Sequence, residues 1–390
     1  MDIYFDNAAT TRPHDDVIAY MASVMRETYG NPSALHGAGL AAERTVREAR
    51  GRVASLFCAD AGNVVFTSGG TESNNTAILC GARARRRQGR RVITTRAEHP
   101  SVLESCALLA AEGFDIAFAD VDGEGRLLPA SVEALLNGDV ILISCAHVNN
   151  ETGAIQPTEA LCALAEAHEK RTGKRIAVHA DAVQSFGKLP LEALARRADL
   201  LSASGHKLHG PKGAGALFVG RNARIDPLLV GGGQERGLRS GTENVPAIAG
   251  FGLAAHMAHA HLAARAEKAA ACKRRLLAGV RAGVRDVRLN GPDGAAASPY
   301  ILNLSFPGVK GEVLLHDLEQ RGVFVSTGAA CSARKHAGSH VLAAMGLSRA
   351  EIEGAIRFSF GDFNTEAEAE RAAEAVCAAV ARFRKLGRYR

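Results

Sequence analysis

Apolar positions recur at two periods along this chain, and the period switches many times. Short, continuously apolar runs read as buried strands: Val64–Phe66, Arg91–Thr95, Ile116–Ala119, Val140–His147, Ile176–His179, Leu200–Ser204 and Ala216–Val219. Between them lie stretches with apolar residues at helical spacing, over residues 36–57, 76–87, 101–112, 129–136, 158–171 and 191–196. Strands alternating with helices predict an α/β protein with a mostly parallel sheet and helices on both faces. Residues 1–35 read as an extended arm with one short helix. A long Ala-rich helix is expected over 245–280, leading to a smaller C-terminal unit. That unit has strands near 300–306, 323–326 and 355–360, a helix near 311–321 and a terminal amphipathic helix over 365–384.

In a parallel sheet, ligands bind outside the carboxyl ends of the strands. His99, Asn150, Asp181 and Lys207 all follow expected strand ends. Lys207 lies in Leu201-Ser-Ala-Ser-Gly-His-Lys-Leu-His-Gly-Pro-Lys-Gly-Ala-Gly215, among Ser204, His206, His209 and four glycines. An amine lowered in pKa by burial or a cationic neighbour forms a Schiff base, and the hydroxyl, imidazole and backbone N–H groups around it suit a phosphate. Together they point to pyridoxal 5′-phosphate (PLP). Taken alone, the stretch fits a surface turn equally well. Asp181 and Gln184 tip the balance. A carboxylate holds the pyridinium nitrogen protonated, and an amide three residues on reaches the phenolic oxygen. Thr67-Ser-Gly-Gly-Thr-Glu-Ser-Asn-Asn75 makes a strand–turn–helix anion site, and it lacks the nucleotide P-loop pattern.

Composition narrows the picture. The chain has 390 residues, 47% hydrophobic, with 41 glycines and a net charge of +6. No apolar run reaches the ~18–20 residues that span a bilayer, and the N-terminus has no signal-peptide core. A cytoplasmic location is expected. The basic run Arg83–Arg91 reads as the solvated end of a helix, and without interleaved aromatics no nucleic-acid binding is expected. The eight cysteines form no C-x-x-C pair. His206/His209 and His256/His259 lack a third ligand, so no metal site is expected. Cys331 differs from the other cysteines. It lies in Gly-Ala-Ala-Cys-Ser, followed by Arg334, Lys335 and His336, and positive charge lowers a thiol pKa.

These segments, with Asp6-Asn-Ala-Ala-Thr-Thr11, Tyr29-Gly-Asn-Pro-Ser33, Glu98-His99, His147-Val-Asn-Asn-Glu-Thr-Gly153, Arg239-Ser-Gly-Thr242, Ser326-Thr-Gly-Ala-Ala-Cys-Ser332 and Ile356-Arg-Phe-Ser-Phe-Gly361, make the chain resemble the cysteine desulfurases of the NifS/IscS type, in the class V PLP-dependent aminotransferases. The resemblance covers residues 4 to about 370. It implies the PLP-dependent transferase fold of type I: a large domain, 15–260, with a mostly parallel seven-stranded sheet, and a smaller α/β domain from 1–14 and 261–390 that carries the catalytic cysteine loop. It makes Lys207 the cofactor-tethering lysine, Asp181 the pyridinium partner, Gln184 the phenol partner and His99 the ring-stacking residue. His99 also joins Lys207 and Cys331 as catalytic, because a histidine at a strand end either stacks on the ring or shuttles a proton. Gly70, Thr71, Ser204 and His206 match phosphate-binding positions. Thr242 matches a phosphate contact from the neighbouring subunit, which implies a homodimer. Asn150 and Arg357 match substrate-binding positions, Arg357 as clamp for the carboxylate of L-cysteine. Cys331 matches the persulfide-forming cysteine. The implied activity removes sulfur from L-cysteine, releases L-alanine and passes sulfur to an acceptor or iron–sulfur scaffold protein. A selenocysteine lyase, or another class V PLP lyase or aminotransferase, is the same-fold alternative. The chain departs from the pattern at Asp362, where many relatives carry Arg, and in the basic segment after Cys331, which lacks a proline that relatives often have.

Overall fold

The computed structural model of this chain describes residues 2–327 and 338–387. The chain enters through a short strand, β1 (Ile3–Tyr4), and then builds a seven-stranded sheet. Its strands are β2 (Val64–Thr67), β3 (Arg91–Thr95), β4 (Asp115–Ala119), β5 (Val140–Ala146), β6 (Ala177–Asp181), β7 (Leu200–Ser204) and β8 (Gly215–Val219). The spatial order is β2-β8-β7-β6-β5-β3-β4. β7, β6, β5, β3 and β4 run parallel, and β8 is antiparallel to both β7 and β2. β2 therefore points the same way as β7. The carboxyl ends of β2, β3, β5, β6 and β7 meet along one edge, where the expected site residues fall.

Both faces of the sheet are covered. Neighbouring residues Val92 and Ile93 are fully buried, but they join different apolar clusters, as do Leu142 and Ile143, and Ala177 and Val178. Period-two alternation puts such neighbours on opposite faces, so strands buried on both sides read as unbroken apolar runs. The helices Gly37–Leu56 and Val245–Ala260 pack against one another over one face.

The remaining strands are β9 (Arg288–Leu289), β10 (Ile301–Ser305), β11 (Val323–Phe324) and β12 (Ala355–Ser359). β12-β10-β9 form an antiparallel sheet, and β11 pairs in parallel with β1. A separate apolar cluster gathers Ile3, Phe5, Leu276, Leu304, Phe358 and Val376. It joins the N-terminal arm to the C-terminal third, and Val148, after β5, also belongs to it.

Three elements differ from the sequence expectation. The helix expected from Thr76 begins at Gly70 and passes through a π-helical turn over Thr76–Cys80. Asn74 and Asn75 are poor helix formers, yet their side chains bond across to Ser101, which offsets that preference. The helix expected over 245–280 is two helices, Val245–Ala260 and Leu262–Gly283, parted at His261, whose φ of −128° leaves the helical region. The first residues are not simply an extended arm, because β1 has a partner 320 residues away in the pairing Ile3 with Val323.

Two glycines are required where the strand ends converge. A Cβ on Gly215 would lie 2.6 Å from the Gly69 Cα, and one on Gly70 would lie 2.6 Å from Val183 Cγ2. Both distances are shorter than van der Waals contact, so any side chain there would push the turn after β2 away from the ends of β6 and β7.

Candidate active site

A cavity of about 360 Å³ opens at this edge. That falls in the range of sites that enclose small ligands. It is lined by Gly70, Thr71, His99, Asn150, Asp181, Gln184, Ser204, His206, Lys207 and Arg357, together with Ala8, Ala9, Asn74, Ser101 and His340. Ten of the twelve residues proposed from the sequence thus share one cavity. Thr242 does not line it and is exposed on its loop. Cys331 lies outside the described residues.

Lys207 ends a single 3₁₀ turn that leads out of β7. Its Nζ donates to the Ala8 carbonyl at 2.6 Å and the Ala9 carbonyl at 2.8 Å. The Asp6–Thr11 segment is therefore a cradle for the lysine. The Thr11 N–H and hydroxyl both donate to the His206 carbonyl at 2.9 Å, which binds that cradle to the lysine turn.

Asp181 is the last residue of β6. One carboxylate oxygen accepts the Val183 N–H at 2.9 Å, and the other accepts the Asn74 amide at 2.7 Å. Gln184 donates to the Ala8 carbonyl at 2.9 Å and accepts from Lys188 Nζ at 3.4 Å. Lys188 is buried beneath it, 5.4 Å from the centre of the Tyr300 ring. Burial, with the charges of Lys207 and Arg265 nearby, lowers the Lys188 pKa to about 7. Burial likewise lowers His206 to about 4, helped by Lys207.

Arg357 lies in the middle of β12 and is 3% exposed. Nη2 donates to Asp6 at 2.8 Å and Nη1 to the Asn150 carbonyl at 2.9 Å. Among the described residues its buried Nε has no partner. Ser204 Oγ is likewise buried and without a partner among the described residues. Buried polar groups in folded proteins are nearly always paired, so both atoms point to a ligand that completes them. An arginine aimed into a cavity suits a carboxylate. A serine hydroxyl beside the helix start at Gly70, whose first N–H groups have no intrahelical partner, suits a phosphate.

His99 caps the helix Pro100–Ala111 with its own ring, as Nδ1 accepts the Ser101 N–H. Next to it Glu98 is fully buried, accepting from Thr95 and the Ala146 N–H. Burial pushes its carboxyl up to about 8. The departure at Asp362 forms a cluster of its own. Its carboxylate accepts from Arg265 Nε at 2.8 Å and pairs with His14 at 3.0 Å, while its N–H donates to His209 at 3.0 Å.

Sequence reasoning assigned no role to Asp6, Asn74, Ser101, Lys188 or His340. Asp6 and Asn74 fall in quoted motifs, so position alone could have flagged them. Their partners lie 351 and 107 residues away.

A helix-flanked, mostly parallel sheet with a lysine, a carboxylate and an anion site at its strand ends defines the class of protein. The aminotransferase class-V family model matches residues 3–372, and the chain belongs to that family. Within it, the chain is similar over its whole length to the cysteine desulfurases. It is 40% identical to a cysteine desulfurase of Trichormus azollae, over 100% of this chain and 95% of that protein. It is 41% identical to the cysteine desulfurase IscS of Anaeromyxobacter sp. (strain Fw109-5), over 98% and 94%. Among solved structures, a NifS-like protein superposes with a TM-score of 0.90 at 36% identity, covering 98% of this chain and 100% of that one. SspA in complex with cysteine superposes with a TM-score of 0.80 at 34% identity, covering 93% and 100%.

Proposed function

We infer that this protein is a cysteine desulfurase that uses PLP to take sulfur from L-cysteine. The observation that carries the reading is the shared cavity of Lys207 and Arg357, an amine and a buried guanidinium N–H with no partner among the described residues, facing one ligand space. The residues present fit the cofactor. Ser204, Gly70, Thr71 and His206 would hold its phosphate, Asp181 its ring nitrogen, Gln184 its phenolic oxygen, and His99 would lie against its ring. When bound, the cofactor supplies an electron sink for the charge left at Cα.

The protein's own groups do the rest. Arg357 clamps the substrate carboxylate through Nε and orients the amino acid. Asp6 and the Asn150 carbonyl hold that guanidinium still. Lys207, leaving the Ala8 and Ala9 carbonyls, removes the Cα proton and later returns one. Asp181 keeps a proton on the ring nitrogen, supported by Asn74 and the Val183 N–H. Cys331 then takes the substrate sulfur. A sulfur–sulfur bond forms as the carbon–sulfur bond breaks, leaving a Cys331 persulfide, and the carbon skeleton leaves as L-alanine. The sulfur passes to an acceptor or iron–sulfur scaffold protein.

The proposed working unit is a homodimer. Thr242 is exposed away from its own cavity, which leaves it available to a second subunit. Tyr29, Leu35 and Val230 are 80%, 104% and 81% exposed, apolar side chains that a partner could cover. Among the described residues no helix is long and apolar enough to cross a membrane.

The purified protein should release equal amounts of alanine and transferable sulfur from L-cysteine. Cys331→Ala should lose that activity while retaining the visible absorbance of bound cofactor. Full activity in Cys331→Ala would remove the persulfide role, and a colourless protein containing no PLP by mass would remove the cofactor.

A further inference from the structure

His99 is held by a chain of hydrogen bonds whose directions are all determined. Asn74 donates one amide hydrogen to Asp181 Oδ2 at 2.7 Å and the other to Ser101 Oγ at 2.9 Å. The amide cannot be turned the other way, because its oxygen would then face a carboxylate. Ser101 Oγ, having accepted from Asn74, has one proton to give. His99 Nδ1 is 2.8 Å away, and the Ser101 backbone N–H already donates to that same nitrogen at 3.1 Å. A nitrogen that accepts a backbone N–H carries no hydrogen of its own. Two donors therefore converge on the Nδ1 lone pair.

We propose that Asn74 and Ser101 are positioning residues that lock His99 as the neutral Nε2–H tautomer, so that His99 acts as a hydrogen-bond donor and ring-stacking face and not as a proton-accepting base. The hydroxyl of Ser101 is the adjustable link. The backbone N–H is present whatever residue stands there, whereas Oγ–H is lost in any residue without a hydroxyl. The surroundings act in the same direction. Burial lowers the His99 pKa first, Lys207 after β7 and His340 on the helix His340–Ala344 lower it further, and Asp181 at the end of β6 opposes them. Proton traffic at the substrate Cα is thereby left to Lys207. That last consequence rests on the desulfurase reading, but the tautomer does not.

The test uses the full-length, PLP-loaded protein labelled with 15N-histidine, with His99→Gln used to assign the His99 ring signals. Wild-type His99 should show a protonated Nε2 and a bare Nδ1. In Ser101→Ala the Nδ1–H form should gain roughly five- to tenfold relative to Nε2–H, the worth of one lost hydrogen bond. The acidic limb of the kcat/KM profile should move to higher pH, because the imidazolium is then less disfavoured. Ser101→Thr, which keeps the hydroxyl, should restore both. A wild-type Nδ1–H tautomer would overturn the proposal. So would an unchanged His99 spectrum in Ser101→Ala accompanied only by a lower melting temperature. Neither result depends on which substrate the enzyme turns over.

Discussion

Replacing Arg357 gives the sharpest test of substrate recognition. Two of its nitrogens are committed to Asp6 and the Asn150 carbonyl, and Nε is buried with no partner among the described residues. A substrate carboxylate would complete Nε and share a second N–H of the fork. A hydrogen bond to a charged group is worth about 1.5–3 kcal/mol. Two of them give about 3–6 kcal/mol, roughly two to just over four orders of magnitude in kcat/KM. The assay compares L-cysteine with cysteamine, which keeps the thiol and amine and lacks the carboxylate. Wild type should prefer L-cysteine by about that factor. Arg357→Met should lose most of the preference by losing rate on L-cysteine, with cysteamine little changed. Arg357→Lys should fall between them, since a point charge cannot form the fork. If both substrates decline by the same factor, Arg357 supports the fold at Asp6 and does not read the carboxylate.

Other consequences follow from the buried charges. Lys188 has its pKa lowered to about 7 from 10.5, so between those values the unfolded chain holds a proton that the folded one has lost. Stability of the cofactor-free protein should therefore rise with pH across that window, by up to roughly 5 kcal/mol, and Lys188→Met should flatten the rise in denaturant midpoints. Glu98 has the opposite sign. Its carboxyl is raised to about 8 from 4.5, so its contribution is fully present below 4.5 and lost as pH climbs through 8. Glu98→Gln should hold its melting temperature at pH 8.5 while wild type loses stability there. Asp362 is held well below the usual carboxylate range by His14, Arg265 and His209, against the cost of burial. Its stabilisation is present above the ordinary carboxylate pKa and fades in acid. Asp362→Ala leaves the largely buried Arg265 with only the Gly187 carbonyl among the described residues and should cost about 3 kcal/mol, read as a lower denaturation midpoint at pH 7.

The sheet was legible because its strands are buried on both faces and leave unbroken apolar runs between helical stretches. The same regularity put His99, Asn150, Asp181 and Lys207 at strand ends, and parallel strands bring such ends together. What periodicity could not show is pairing at long range. The Asp6–Arg357 contact joins residues 351 apart, and nothing in either local sequence selects the other. The tethering of Lys207 by the Ala8 and Ala9 carbonyls was equally hidden, because it uses backbone atoms. Helix boundaries failed where side chains overrode propensity. Asn74 and Asn75 read as turn residues, yet their bonds to Ser101 carry the helix back to Gly70. At His261 the helix breaks without proline or glycine, and no local signal marks it.

The central claim is that sulfur leaves L-cysteine on an amino acid held by Lys207 and Arg357 and arrives on Cys331. A single-turnover experiment with purified, PLP-loaded protein and no reductant tests this directly. One equivalent of L-cysteine should yield one equivalent of L-alanine and a mass gain of one sulfur atom on the peptide containing Cys331, with neither product from Lys207→Ala. Alanine formed while the added sulfur sits on another cysteine, or on none, would contradict the account.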